Sequence, residues 1–256
     1  MGLVFGLTME IFLPLAIVAA MHYWIGSYPE PFPKSNEKKR EIFEVIGFWF
    51  LAMAASTIYI LQKTPAELNT PTTELQLGHM AFAVFPWLIL PLLYVVFRQK
   101  WRASDLGCVL PRSWPMVLFA LVLFGFAGTE RLFDETLAPL PLSFLFIAVY
   151  QPAFIEEFFF RVILQGKLER ALGQTQGWFY SGILFGLMHV PVDFFGPQFY
   201  AYGENYVNAS FLLLSQIIAG WIFGIIYSKT RSILPGMLAH YFTDFRLGSV
   251  ILHLMQ

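Results

Sequence analysis

Two adjacent glutamates and an arginine, Glu156, Glu157 and Arg161, lie inside an otherwise mostly apolar run of the chain. The run covers residues 142–164 and is long enough to cross a lipid bilayer as a helix. An ionisable group at that depth costs roughly 3 kcal/mol by insertion scales, so it normally faces a bundle interior or a water-filled cavity. The three residues therefore indicate a functional site.

Helical geometry separates the roles of the two glutamates. Glu157 and Arg161 are four residues apart and share one helical face, whereas Glu156 is turned by about 100° from Glu157. Glu157 and Arg161 can therefore neutralise each other, which leaves Glu156 for proton chemistry. A structural ion pair that only locks two helices together is the alternative, and the second acid beside the pair weakens it.

Two later apolar runs carry histidines at helical spacing from another notable residue. One contains Phe185 and His189, the other His240 and Asp244, and each pair is four residues apart. At a rise of about 1.5 Å per residue, Glu156, His189 and His240 would all lie roughly 12–17 Å below the same membrane edge. A carboxylate and a neutral imidazole that meet at that level can activate a water molecule for hydrolysis of a peptide bond.

The composition is that of a membrane protein. Of the 256 residues, 57% are hydrophobic and 13% are charged, whereas soluble domains carry roughly 25% charged residues. The net charge of −1 gives no indication of nucleic-acid binding, so the lipid bilayer is the expected environment. Cys108 is the single cysteine, which excludes an intrachain disulfide and a multi-cysteine metal site.

The apolar runs predict an all-α, polytopic transmembrane helix bundle with about eight spans. The predicted spans are residues 3–25, 42–62, 78–97, 114–128, 142–164, 178–195, 209–228 and 232–253. The fourth of these is short for a spanning helix. An acidic stretch with two prolines at residues 130–141 suggests N-terminal helices in residues 1–141 and a core in residues 142–256.

Basic residues in alternate connectors predict an orientation. They are Lys34, Lys38, Lys39, Arg40, Arg98, Lys100, Arg102, Arg112, Lys167, Arg170, Lys229 and Arg231. The positive-inside rule places these connectors in the cytoplasm and both termini outside. We therefore expect the site to open toward the cytoplasm or laterally at the inner leaflet. Lys167, Arg170, Lys229 and Arg231 are expected to flank that mouth, where they would attract anionic headgroups.

The motifs, taken in order, resemble those of the CAAX prenyl protease and bacteriocin-processing family of intramembrane proteases. Glu-Glu-x-x-x-Arg begins at Glu156, Phe-x-x-x-His at Phe185 and His-x-x-x-Asp at His240. The resemblance covers residues 142–256, and upstream it is limited to hydropathy and the segment that begins at Asp105. It implies an endopeptidase that cleaves a membrane-associated peptide or protein. A bacterial inner membrane is the expected location.

The same resemblance implies roles for the residues of the first two motifs. Glu156 is similar to the family's water-activating glutamate, and Glu157 with Arg161 to the rest of its first motif. His189 is similar to the histidine that helps to position the water. The chain contains neither G-x-S-x-G nor H-E-x-x-H, so serine-hydrolase and ordinary zinc-protease mechanisms lack their usual motifs.

The third motif leaves the metal dependence open. His240 and Asp244 are similar to the pair that is assigned to the oxyanion or to a metal. The family accepts Asn or Asp at the last position. Because Asp244 is charged unless protonated, a role in stabilising an oxyanion is less secure than it would be for Asn, and a role as metal ligand is slightly more plausible. Zn²⁺ therefore stays open as a cofactor, with Glu156, His189, His240 and Asp244 as candidate ligands, although their spacing is not a recognised zinc signature.

Two other functions are compatible with the sequence. A non-catalytic membrane immunity or partner-binding protein of the same fold would keep the helices without cleaving a substrate. A proton-coupled transporter would also carry buried acids and histidines. Transporters are commonly built from repeated halves, whereas the deep polar residues of this chain, Glu10 excepted, lie in its C-terminal part. A protease is the preferred interpretation.

Overall fold

The computed structural model describes residues 11–63, 73–129, 132, 140–196, 199, 204–243 and 246–255. Regular structure in these ranges is entirely helical, so the predicted all-α class is confirmed. The helices are α1 (Leu13–Tyr23), α2 (Lys38–Leu61), α3 (Thr73–Val84, continued by Phe85–Ile89, Leu90–Leu93 and Tyr94–Arg98), α4 (Trp114–Ala127), α5 (Leu142–Leu172), α6 (Gln174–Met188), α7 (Val190–Phe195), α8 (Tyr206–Thr230), α9 (Ile233–Thr243) and α10 (Arg246–Leu254).

Within the described residues, four helical segments are long and apolar enough to cross a membrane, judged by length and composition. They are Lys38–Leu61, Ala81–Arg98, Leu142–Leu172 and Tyr206–Thr230, whereas α1 and α4 are shorter apolar helices. Large side chains on the outside of the bundle, such as Phe43, Phe97 and Phe146, are 76%, 67% and 77% exposed. Surfaces of this kind face lipid. The chain is therefore an integral membrane protein.

Two of the predicted spans are divided in the structure. Residues 178–195 are split at His189, between α6 and α7, because Pro191 has no N–H and its ring clashes with the preceding turn. Residues 232–253 are split between α9 and α10, and the two residues between these helices lie outside the described residues. Each straight span expected from hydropathy is thus a pair of shorter helices.

The predicted span 142–164 is also interrupted. Gln151 has φ −127° and ψ 116°, which are extended rather than helical values. The cause lies in the sequence, because a residue that precedes proline is disfavoured in the helical region, and Pro152 follows. Beyond this break, α5 has the wide turns of a π-helix over Phe158–Gln165, a geometry that is frequent at functional sites.

Helix α5 occupies the centre of the bundle. Every side chain from Ile155 to Glu169 is buried, and α3 packs on it through Trp87, whose ring lies 5.3 Å from that of Phe159. Helix α2 is joined to α6 by a hydrogen bond of 2.9 Å from the Trp49 indole to the carbonyl of Leu184. Helices from residues 1–141 and from residues 142–256 thus contribute to one core, and the division between them remains a proposal.

Helices α6 and α8 approach closely through glycines. A Cβ at Gly220 would lie 2.6 Å from the carbonyl oxygen of Gly182, and one at Gly224 would lie 2.9 Å from the Trp178 Cβ. The G-x-x-x-G spacing of Gly220 and Gly224 therefore serves close helix packing. This contact fixes α6, and with it the position of His189 at its end.

The basic connectors lie together at one end of the bundle. The Ser35 N–H donates to the carbonyl of Arg170 at 2.9 Å, and the Arg112 N–H donates to that of Thr230 at 2.8 Å. The first contact joins the connector after α1 to the end of α5. The second joins the loop before α4 to the end of α8. These connectors therefore share one side of the bundle, as the alternation of basic connectors requires; the side that faces the cytoplasm remains a prediction.

The lysines and arginines expected to flank an open mouth are mostly buried instead. Lys167, Lys229 and Arg231 are 0%, 1% and 3% exposed, so the expectation that they attract anionic headgroups is wrong. Lys167 lies 2.6 Å from Glu41, and Arg231 lies 2.5 Å from Glu169. A buried charge must be paired and hydrogen-bonded to be tolerated, and these residues meet that requirement with internal partners.

Candidate active site

The predicted ion pair within the first motif is present and has a third member. Arg161 Nε lies 3.2 Å from Glu157 Oε2, and His240 Nδ1 lies 3.1 Å from Glu157 Oε1. Glu157 thus accepts hydrogen bonds on both of its oxygens. Helix α9 can approach this closely because Gly236 faces the carboxylate, and a Cβ there would lie 2.8 Å from Glu157 Oε2.

Glu156 has a different environment from that of its neighbour. The Gln151 amide lies 3.4 Å from its Oε1, and His240 Nε2 lies 3.9 Å from its Oε2. The second distance is too long for a hydrogen bond, although it is short enough for an electrostatic interaction. Glu156 is 9% exposed, whereas Glu157 is 0% exposed. Of the two carboxylates, Glu156 is therefore the one whose surface is partly accessible.

Arg161 is held by aromatic rings as well as by Glu157. Its guanidinium carbon lies 4.7 Å from the centre of the Phe185 ring and 5.6 Å from that of Phe223. Faces of aromatic rings attract cations, most strongly where water is excluded, and Arg161 is 1% exposed. Its Nη1 atom has no hydrogen-bond partner among the described residues. Arg161 is thus a buried positive charge that is held in place by Glu157 and by two aromatic rings.

The hydrogen bond of His189 fixes its tautomer. Its Nδ1 atom lies 2.9 Å from the carbonyl oxygen of Phe185. A carbonyl only accepts, so the proton of a neutral His189 is on Nδ1 and the lone pair is on Nε2. The Phe185 ring lies 4.9 Å from the His189 ring and 6.1 Å from that of His240. The second and third motifs therefore meet at Phe185.

The structure brings together most of the residues that were predicted from the sequence. Glu156, Glu157, Arg161 and His240 are joined by the distances given above, and His189 is connected to them through Phe185. Asp244 and Glu10 lie outside the described residues. Asp193, four residues after His189, places its Oδ1 3.3 Å from the amide nitrogen of Gln216.

Three residues of the site were not predicted. Gln151 contacts Glu156 from the break in α5, Gly236 admits α9 to Glu157, and the Phe223 ring is stacked on His240 at 5.0 Å. The Gln151-Pro152 pair could have indicated the break, because the residue before a proline is disfavoured in the helical region. The roles of Gly236 and Phe223 depend on which helices are neighbours, and local spacing does not contain that information.

A metal ion is poorly served by the residues that the structure describes. No three histidine, cysteine, aspartate or glutamate side chains in the described part of the chain are grouped so that they could hold one. His240 and His189 each use Nδ1 in a hydrogen bond, to Glu157 and to a carbonyl, and such a bond leaves Nε2 able to bind a metal. The described residues therefore supply no complete Zn²⁺ site, and the remaining candidate ligand, Asp244, lies outside them.

Comparison with known proteins agrees with the position of the site. Residues 136–246 match the family model described as type II CAAX prenyl endopeptidase Rce1-like. No curated protein matches the chain, and no solved structure does. The matched residues begin shortly before α5 and extend through α9, the helices that contribute Glu156, Glu157, Arg161, His189 and His240.

Proposed function

We propose that this chain, whose residues 136–246 match the model of the type II CAAX prenyl endopeptidase Rce1-like family, is an intramembrane endopeptidase that uses Glu156 to activate water. Its substrate is a membrane-associated peptide or protein. The observation that carries the proposal is the different engagement of the two glutamates. Glu157 binds Arg161 and His240 through its two oxygens, whereas Glu156 is the more accessible carboxylate.

Glu156 acts as the general base and then as the general acid. Its carboxylate takes one proton from a water molecule while the water oxygen attacks the carbonyl carbon of the scissile peptide bond. The tetrahedral intermediate carries its negative charge on the former carbonyl oxygen. Glu156 then gives the proton to the amide nitrogen as the C–N bond breaks, which releases the amine and restores the carboxylate.

His240 is the proposed stabiliser of the oxyanion. Because Glu157 accepts from its Nδ1–H, His240 carries a proton on Nε2 only in the imidazolium form. In that form Nε2–H can donate to the developing negative charge, while the Glu157 carboxylate offsets the charge of the ring. Asp244, four residues further along, would add a donor only when protonated.

His189 and Arg161 are the proposed positioning residues. The lone pair on His189 Nε2 can accept one hydrogen of the attacking water, which leaves the other hydrogen for Glu156. Arg161 holds the Glu157 carboxylate at 3.2 Å and thereby fixes the direction of the His240 ring. In this scheme residues 142–256 supply the catalytic core, and residues 1–141 supply helices that pack against it.

Location and access are also part of the proposal. The basic connectors predict that the end of the bundle containing Arg170 and Arg231 faces the cytoplasm, with both termini outside. We place the protein in a bacterial inner membrane. The substrate would reach Glu156 from the cytoplasmic side or laterally through the inner leaflet.

Cleavage of a peptide panel tests this function. The purified protein is incubated with prenylated and unprenylated peptides in H₂¹⁸O, and the products are analysed by mass spectrometry. Hydrolysis predicts one ¹⁸O in the new carboxyl group and loss of roughly 10²–10⁴-fold in rate for Glu156→Gln. The matched control is Glu37→Gln, which removes an exposed carboxylate and should retain the wild-type rate.

Two outcomes of the same assay would contradict the proposal. Peptide binding without cleavage, unchanged in Glu156→Gln, would identify a partner-binding or immunity protein. Cleavage that is abolished by a chelator and restored by Zn²⁺ would contradict the metal-free chemistry and would place Asp244 among the ligands to be tested.

A further inference from the structure

A polar cleft lies at the basic end of the bundle, away from the candidate active site. Its volume is about 450 Å³. Its walls come from the start of α2, the end of α3, the turn that follows α3 and the end of α5. The lining residues with side chains that bear on a ligand are Arg40, Arg98, Lys100, Arg170, Tyr94 and Trp101.

The carboxylates that line the cleft are already paired. Glu41 lies 2.6 Å from the buried Lys167, and Asp105 lies 2.6 Å from Arg170. Arg40 is likewise paired, with Glu37 and Glu44. The lining as a whole is positive, because the four cations Arg40, Arg98, Lys100 and Arg170 outnumber the two carboxylates Glu41 and Asp105.

Arg98 and Lys100 are cations of the cleft for which the described residues supply no such partner. Neither makes an ion pair with any residue that the structure describes, and both are exposed. Lys100 has a φ of 60°, a left-handed conformation that is uncommon for a residue other than glycine. Uncommon backbone conformations of this kind occur at ligand-binding sites, and here one presents an exposed cation to the cleft.

Other groups around the cleft are fixed and suited to an anion. The Arg170 guanidinium lies 4.3 Å from the centre of the Phe32 ring and 4.4 Å from that of Trp101, which holds it between two aromatic side chains. The Ser35 oxygen accepts from the Glu37 N–H at 3.1 Å, so its hydroxyl proton can still be donated. The Arg170 guanidinium and the Ser35 hydroxyl are therefore available as positioned donors to an anion in the cleft.

The surface beside the cleft is apolar. Phe97 precedes Arg98 and is 67% exposed, and Phe43 lies one turn after Arg40 and is 76% exposed. A cationic site with apolar surface next to it, at the end of membrane helices, matches a phospholipid with its headgroup in the cleft and its acyl chains along α2 and α3.

We propose that this cleft binds a phosphate-bearing anion, with the headgroup of an anionic phospholipid as the favoured source, and that Arg98 and Lys100 are its principal contacts. Arg98 offers a planar guanidinium that can donate two parallel hydrogen bonds to phosphate oxygens, and Lys100 adds a compact charge. The site is separate from Glu156, so it would anchor or orient the protein without taking part in hydrolysis.

Native mass spectrometry of the full chain in a non-ionic detergent tests the site. The probes are short-chain phosphatidylglycerol, the matching phosphatidylcholine and glycerol phosphate. We expect one phosphatidylglycerol bound in preference to phosphatidylcholine, and binding weaker by roughly 25-fold in Arg98→Gln/Lys100→Gln, at about fivefold per basic residue. The control, Lys38→Gln/Lys39→Gln, removes two exposed charges near the same end and should change binding less than threefold.

The outcomes separate the possibilities. Competition by glycerol phosphate at equal concentration would assign the site to soluble phosphate esters, whereas binding of the lipid alone would assign it to phospholipid. Equal weakening in both double variants, or equal binding of the two lipids, would overturn the proposal, because either result indicates diffuse attraction rather than a site. Should Arg98→Gln/Lys100→Gln unfold, Lys100→Gln alone is expected to weaken binding about fivefold, and no change in that variant would overturn it equally.

Discussion

His240 Nδ1 lies 3.1 Å from Glu157 Oε1, while Nε2 of the same ring lies 3.9 Å from Glu156 Oε2. One imidazole therefore stands between two adjacent glutamates and is bonded to the one that also holds Arg161. On the proposed function the two carboxylates have different tasks, because Glu157 fixes the ring and Glu156 activates the water.

Removal of Arg161 should destabilise the fold. In Arg161→Ala, Glu157 would lose its cation while remaining buried, and breaking one side of a buried pair costs about 3–5 kcal/mol. Thermal unfolding in detergent measures the loss. The double variant Glu157→Gln/Arg161→Gln should recover much of it, and Arg40→Ala, which removes an exposed pair, should cost about 1 kcal/mol or less. An unfolding temperature of Arg161→Ala equal to that of wild type would show that the pair is not stabilising.

Glu157 and His240 should behave as one unit in catalysis. If Glu157 acts by orienting His240, then Glu157→Gln and His240→Gln disturb the same step, and their effects are not additive. We expect the double variant to be about as slow as the slower single variant. Rate losses that multiply would mean that the two residues act independently. Glu37→Gln combined with His240→Gln provides the additive reference.

The approach of α9 to Glu157 should tolerate no added methyl group. A Cβ in Gly236→Ala would lie 2.8 Å from Glu157 Oε2, so the carboxylate must move and carry His240 with it. A displacement of this size can cost up to roughly 100-fold in rate with little effect on unfolding. Gly47→Ala is the control, since a Cβ there meets nothing within 4 Å. Full activity of Gly236→Ala would argue against a fixed Glu157.

Lys229 should be essential for the packing of α1. Its Nζ lies 2.6 to 3.1 Å from the carbonyl oxygens of Met21, His22, Ile25 and Gly26, which share its three N–H donors. Lys229→Met leaves these acceptors with a buried apolar neighbour, which we expect to cost about 3 kcal/mol or more. Lys39→Met, at an exposed position, should leave the unfolding temperature unchanged. A small effect at Lys229 would indicate that water reaches these carbonyls.

The sequence predicts the parts of the site that follow from spacing within one helix. The pair of Glu157 and Arg161 is four residues apart and is observed, and Gly220 with Gly224 marks the close contact of α6 and α8. Contacts between helices could not be predicted in this way. The choice of His240 for Glu157, and of backbone carbonyls for Lys229, depends on the rotation and neighbours of whole helices. Periodicity does not specify either property.

Interruptions of helices were the main error in the predicted fold. Hydropathy averages over a window, so it gave continuous spans over residues 142–164 and 178–195. The structure breaks the first at Gln151 and the second at His189. Each break lies within two residues of a proline, Pro152 for the first and Pro191 for the second. Buried basic residues were misjudged for a related reason, because a charge in a connector was assumed to face water or lipid.

The most direct test of the account compares Glu156→Gln with Glu157→Gln in the same peptide-cleavage assay, with unfolding temperatures measured in parallel. We predict that Glu156→Gln unfolds at the wild-type temperature and loses at least roughly 10²-fold in rate, because an amide cannot accept the proton of water. Glu157→Gln should instead unfold at a lower temperature, since Arg161 loses its anion. A Glu156→Gln protein that keeps more than about a tenth of the wild-type rate would contradict the assignment of Glu156 as the base.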